Sequence, residues 1–272
     1  MDDAGRGMTN QIQAIDVHAH YGTYYRPGND LQNKFSTGDA ETVLARAHAA
    51  NTQLTIVSPL LGLFPRGGAD AAAGNVEAAR IVPEHAGLRQ WVIIDPRNEA
   101  TYRQAEKMLS EPHCVGIKIH PEEHVYPITE YGQAIFEFAA KHRAVVLTHS
   151  GHENSLPDDL VPFADEYSEV TLILAHIGCG WDNQLSYQVR AIQKSKRGNV
   201  YADTSSAKSI LPNLIEWAVS EVGADRVLYG TDTPLYSSAM QRARIDSADL
   251  DDDSKRKILR GNAVRLLELN ID

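Results

Sequence analysis

Short continuous runs of Val, Ile, Leu and Ala recur along the chain, and between them stand longer segments whose apolar residues return every three or four positions. The first pattern predicts strands covered on both faces, because a strand with one wet face alternates instead. Such runs occur at 14–20, 53–60, 90–96, 115–121, 144–151, 170–178, 200–206 and 227–234. The second pattern predicts amphipathic helices, for example over 41–51, 131–143 and 211–223, each with an apolar stripe that can cover a sheet. A last helix is expected over 254–269, with Gly261 marking a bend or break. Strand and helix alternate without an obvious linker or repeat. This predicts a single (β/α)8 TIM barrel of the α/β class over residues 1–272, in preference to an open doubly wound sheet. Residues 1–11 are expected to form a flexible N-terminal tail, and the Gly-, Pro- and Tyr-rich loops 21–37 and 61–74 to build a substrate mouth.

Composition narrows the class of partner. With 36 acidic against 26 basic residues the formal net charge is -10, the opposite of a nucleic-acid footprint. The basic run KSKR at 194–197 reads as a solvated helix end. The start, MDDAGRGMTNQ, lacks the apolar core of a signal peptide, and no run approaches the roughly 18 apolar residues of a membrane helix. The expectation is a cytoplasmic protein acting on a small molecule, with no nucleic-acid or membrane partner, and compatible with assembly into a homo-oligomer. Cys114 and Cys179 have no CxxC spacing and are expected as buried apolar fillers.

Candidate chemistry lies where apolar runs end in polar residues, since barrels of this kind place their active sites at the carboxyl ends of the strands. The first run, AIDVHAH, carries His18 and His20; strand alternation points both imidazoles to one face, about 6.6 Å apart along the strand. VGIKIHP ends in Lys118 and His120, AVVLTHSG in His149, TLILAHIG in His176 and RVLYGTDTP in Asp232. Singly, each has a plain explanation as a hydrogen-bonded core or rim residue. Together they place unpaired polar groups on one rim, at a cost of several kcal/mol by order of magnitude, which a shared divalent cation removes. Neutral imidazoles with one carboxylate suit Zn2+, with Mn2+, Fe2+ or Co2+ as replacements.

The ordered set DVHAH at 16–20, GIKIHP at 116–121, THSG at 148–151, AHIGCG at 175–180, YGTDTP at 229–234 and GNAVRLL at 261–267 resembles the amidohydrolase superfamily. The closest flavour is the amidohydrolase-related branch that contains aminocarboxymuconate-semialdehyde decarboxylase and pyrone-dicarboxylate lactonase. The resemblance implies that His18, His20, His149 and Asp232 bind one metal, that Asp232 also takes a proton from the attacking water, and that His176 polarises the substrate or moves a proton. It leaves Lys118 with two roles: an ammonium near the substrate carboxylate, or, once carboxylated, a bridge to a second metal held with His149 and His176. His120 is a further candidate for substrate contact. Arg66 and Arg97, which each follow a strand, are candidates for a carboxylate clamp, and Tyr24 and Tyr25 for lining the mouth. His48, His85, His113, His124, His142 and His152 are expected to need no special role. Hydrolysis of an amide, ester or lactone is the leading expectation. Non-oxidative decarboxylation of an unsaturated or aromatic acid is the alternative, and an inactive metal- or ligand-binding barrel the third.

Overall fold

The computed structural model describes residues 12–271; the expected N-terminal tail, residues 1–11, lies outside the described residues. Its centre is an 8-stranded parallel sheet in sequential order. The strands are β1 (Ala14–Tyr21), β2 (Thr52–Pro59), β3 (Leu88–Ile93), β4 (Cys114–Ile119), β5 (Val146–Thr148), β6 (Leu172–Leu174), β7 (Val200–Asp203) and β8 (Val227–Leu228). Around them run α1 (Ala40–Ala49), α2 (Ala71–Ile81), α3 (Glu99–Met108), α4 (Ile128–His142), α5 (Pro157–Glu166), α6 (Tyr187–Lys194), α7 (Leu214–Val222) and α8 (Ser238–Asp246). The alternation read from the sequence is thus a TIM barrel and not an open sheet. Among the described residues no helix is long and apolar enough to cross a membrane.

The seam between β1 and β8 is closed outside the regular ladder. Val17 N–H donates to Tyr229 O (3.0 Å), Asp232 N–H to His18 O (2.7 Å) and His20 N–H to Thr233 O (2.7 Å). The segment that carries Asp232 is therefore stitched to the strand that carries the two early histidines.

Two apolar layers follow from the strand pattern. Outward residues such as Ile117, Val146 and Leu172 pack under the helices. Inward residues, among them Ile15, Val17, Leu54, Trp91, Leu147 and Ile173, fill the barrel below the strand ends. Trp91 is the largest of these, and its indole N–H donates to Val17 O (2.8 Å). A Cβ added at Gly116 would lie 2.7 Å from the Trp91 ring and closer still to the Val145 carbonyl, so the glycine of GIKIHP is there to admit the indole. Gly116→Ala is expected to lower stability by about 1–3 kcal/mol, as overpacking does, read as a drop in the urea midpoint at unchanged slope.

Several strands are shorter than the apolar runs that predict them. The run 144–151 holds a strand only over Val146–Thr148, and the run 227–234 only over Val227–Leu228. In each case the chain leaves the ladder ahead of the polar residue named for the run, directly before His149 in the first and four positions before Asp232 in the second. The last helix is broken as expected: after Asp252–Arg256 comes a π-helical turn, Lys257–Gly261, and then Asn262–Leu266.

Candidate active site

Each barrel strand from β4 to β8, together with β1, delivers a polar side chain to its carboxyl end. On β1, a register shift between Asp16 and Ala19 breaks the simple alternation, so that His18 and His20 reach the inner rim after the inward Ile15 and Val17; Asp16, His18 and His20 are all at most 3% exposed. His149 and His176 follow β5 and β6 by one and two residues, Asp203 closes β7, and Asp232 follows β8. His176 and Asp232 adopt left-handed backbone, with φ of 73° and 58°. Such a conformation costs about 1–3 kcal/mol per residue and survives only where neighbours over-determine it. Here the bonds are His176 N–H to Asp203 Oδ1 (3.0 Å) and Asp232 N–H to His18 O (2.7 Å).

His18, His20 and Asp232 converge. Asp232 Oδ1 lies 2.9 Å from His20 Nε2 and 3.5 Å from His18 Nε2. The outer nitrogen of each ring is already committed. His20 Nδ1 faces the Ser58 carbonyl at 3.0 Å and His18 Nδ1 faces Asp203 Oδ2 at 2.9 Å, both acceptors only. Each neutral ring therefore carries its hydrogen on Nδ1 and turns an Nε2 lone pair toward the Asp232 carboxylate. At His20 this sets two acceptors against each other at hydrogen-bond distance, a donor set that a cation fits. Lys118, 1% exposed, gives partial relief from below, its ammonium 2.9 Å from His18 Nε2.

A second group, His18, His176 and Asp203, also lies close enough to hold an ion, but its centre is taken by a hydroxyl. Ser205 Oγ is 2.9 Å from His18 Nδ1 and 2.7 Å from His176 Nδ1, and it donates to Asp203 Oδ1 in a short hydrogen bond. This hub fixes the orientation of both rings.

His149 is outside the convergent triad. Its Nδ1 is 3.1 Å from His176 Nε2, its Nε2 is 2.8 Å from His152 Nδ1, and its ring stacks on His120 at 4.3 Å. His120 also accepts from Glu123 N–H (3.2 Å), capping the short helix Pro121–His124. Lys118 lies beside His18 and is not among the residues that line the cavity.

Burial sets the charge states. It drives His18 down to about 3, with Lys118 acting in the same direction and Asp203 and Asp232 opposing. Burial likewise holds His120 and His149 well below the usual imidazole range, and lowers His176. The Lys118 ammonium is brought down to about 8 by burial, against the pull of Asp203 and Asp232. For Asp203 and Asp232 burial acts upward but is outweighed by the imidazoles around them, His18 foremost at Asp203 and His20 at Asp232, so both carboxyls lie below their usual range. Asp16 differs. Burial pushes it up to about 8, although it accepts from His18 N–H and Thr231 N–H (3.1 Å each) and from Thr231 Oγ1 (2.5 Å).

Above the triad opens a cavity of ≈ 220 Å3 whose walls include His18, His20, His149, His176 and Asp232 together with Tyr24, Phe64, Arg66 and His120. Tyr24, 4% exposed, packs on Phe64 at 4.9 Å, whereas Tyr25 is 50% exposed and takes no part. Arg97 is no clamp: it pairs with Asp95 and donates to the carbonyls of His124 and Val125. Arg26, Glu123 and His152 also stand in the wall, although the sequence assigns them no role. Cys179 also lines the cavity, and Cys114 is half-buried with its sulfur 2.8 Å from Gln90 Nε2, so neither is a simple apolar filler.

With the site described, its likenesses can be placed. A model of the family Amidohydrolase matches residues 15–269. No curated protein matches the sequence. Among solved structures, 2,6-dihydroxybenzoate decarboxylase from Rhizobium superposes with a TM-score of 0.75 at 15% identity, over 95% of this chain and 99% of its own. A dihydroxybenzoic acid decarboxylase from Polaromonas sp. JS666, with bound manganese and the inhibitor 2-nitroresorcinol, gives 0.74 at 16% identity over 96% and 98%. The 5-carboxyvanillate decarboxylase of Sphingomonas paucimobilis gives 0.70 at 14% identity over 96% and 100%. At such identities the likeness speaks for the fold.

Proposed function

The chain belongs to the amidohydrolase family, and from that premise we propose that it catalyses the metal-dependent, non-oxidative decarboxylation of a small hydroxy-aromatic carboxylic acid. The observation that carries this reading is the shape and chemistry of the cavity. Its floor is the His18, His20 and Asp232 triad, and its side wall is the flat stack of His120 on His149 beside Phe64, leaving room for a single ring. The three structural relatives described above, which align over nearly their whole length, are decarboxylases of ring acids, which favours this reaction over the hydrolysis that ranks first from sequence.

His18, His20 and Asp232 would hold one divalent ion, which when bound would supply electrophilic stabilisation of an anionic substrate. Manganese joins zinc as a leading candidate, because the Polaromonas relative holds it. In the reaction a proton must reach the ring carbon, the bond from that carbon to the carboxylate breaks, and its electron pair restores the aromatic ring as carbon dioxide leaves. Asp232 is suited to the proton transfer. Ionised at rest, it takes a proton from the substrate hydroxyl or solvent, and a carboxyl held below its usual range is a strong acid once protonated. His176, oriented by Ser205 and kept neutral by burial, donates or accepts a hydrogen bond at the reacting group. Lys118 keeps positive charge beneath the triad, where it offsets Asp203 and Asp232.

A panel of hydroxybenzoates, dihydroxybenzoates and lactones, assayed with carbon dioxide detection, tests the reading. Carbon dioxide from at least one hydroxybenzoate is expected, abolished by a chelator and restored by Mn2+ or Zn2+. Ring opening of a lactone without carbon dioxide release from any acid would return the function to hydrolysis.

A further inference from the structure

The mouth of the cavity holds a charge arrangement that the decarboxylation chemistry does not use. Arg26, from the loop after β1, and Arg66, from the loop after β2, meet on Glu123, which follows β4. Both place an Nη2 donor on the same oxygen, Glu123 Oε1, at 2.6 and 3.1 Å. Two guanidiniums against one carboxylate leave an excess of one positive charge. Because they converge on one oxygen, neither forms the two-pronged pair that a guanidinium makes with a carboxylate of its own. Glu123 Oε2 is buried without a partner, so it does not take up the remaining donors. Arg26 is held in place: its Nε donates to Tyr24 Oη at 2.8 Å, and its guanidinium lies 5.0 Å from the Phe64 ring centre. Arg66 is 48% exposed, and both arginines line the cavity.

Aromatic contacts connect this mouth to the floor. Phe64 meets the His120 ring edge to face at 6.4 Å, and His120 stacks on His149, whose Nδ1 reaches His176. A planar molecule lying along that wall has one end at the triad and the other at the paired arginines.

We propose that Arg26 and Arg66 form a second anion site, and that the substrate is an aromatic dicarboxylate: one carboxylate at the triad, the second, further round the ring, held at the mouth. The assignment of the triad end as the reacting end rests on the decarboxylase reading; the anion site does not. Glu123 acts as a positioning residue, keeping two like charges together until the ligand arrives.

Equilibrium binding of isophthalate and benzoate to the metal-loaded full chain tests the proposal, since both lack the hydroxyl and stay unreacted. Isophthalate is expected to bind roughly tenfold or more tighter than benzoate, the return of a charge-assisted pair. The ratio is expected to fall to near one in Arg66→Gln and in Arg26→Gln. Damage to the fold would weaken both ligands alike and leave the ratio standing, so an unchanged ratio in both variants overturns the proposal, as does a ratio near one in the unaltered protein. If that ratio is near one while a hydroxybenzoate still releases carbon dioxide, the anion site falls and decarboxylation stands. A full preference that both variants lose, with no carbon dioxide from any acid, leaves the site and removes the reaction assigned to it.

Discussion

Asparagine in place of Asp232 is expected to lower turnover by roughly 10³-fold or more and to strip the protein of its ion, yet to leave the fold standing. The reason is the arrangement of lone pairs at the floor of the barrel. In the unaltered chain a carboxylate oxygen faces His20 Nε2 at 2.9 Å with no hydrogen between them, and only the Lys118 ammonium nearby offsets the charge. An asparagine of the same shape can turn its amide N–H toward that lone pair and satisfy it without a cation. The metal-free variant should therefore melt at or above the temperature of the metal-free parent. Adding Mn2+ or Zn2+ should raise the melting temperature of the parent and leave the variant's where it was. Metal counted per chain by elemental analysis completes the measurement. A variant that retains both its ion and its turnover would show that Asp232 is neither ligand nor proton carrier.

The metal-stripped protein should lose stability steeply on the acid side of neutrality. His18, His120, His149 and His176 are all held below the ordinary imidazole value by burial, so the folded chain keeps them neutral while the unfolded chain protonates them as the pH falls through about 6.5. Each then costs up to about 1.4 kcal/mol per pH unit. Asp16 works the other way: raised to about 8 by burial, it holds its proton in the folded state where the unfolded state has released it, which favours folding as the pH drops. His124 and His152, lowered by burial as well, add to these four, and with Asp16 opposing them the net change between pH 7 and pH 5.5 is a loss of stability. Below about pH 4 the carboxyls of Asp203 and Asp232, whose folded values lie under their unfolded ones, add to the loss as they are forced to take protons. Urea midpoints at the two pH values read the effect, and equal midpoints would mean that these imidazoles are not buried neutral.

Much of the barrel is visible in the sequence because parallel strands leave a plain signature, apolar runs covered on both faces. The site is legible to the extent that its residues end such runs. His18, His20, His149, His176 and Asp232 all do, and the structure brings them around one cavity. Asp203 ends a run as well, in VYADTSSA, and the same rule would have found it. It escapes because it serves the ligands from behind, pairing with His18 Nδ1 and with His176 N–H, and never meets the cavity. Arg26, Glu123 and His152 had no such signal. They sit in loops or in a four-residue helix, where spacing predicts no direction, and only the folded chain shows Arg26 and Glu123 meeting 97 residues apart. The overlong reading of strands 5 and 8 has the opposite origin. His149 and Asp232 continue an apolar run in sequence while leaving the ladder in space, Asp232 by way of left-handed backbone.

The joint between the first and last strands gives the barrel an order of dismantling. The backbone bonds from Asp232 to His18 and from His20 to Thr233 that close the cylinder belong to the residues, or their immediate neighbours, to which the cation is assigned. Loss of that ion is expected to loosen a hoop at its clasp: the seam should open first, and the remaining staves, each bound to two neighbours, should yield afterwards.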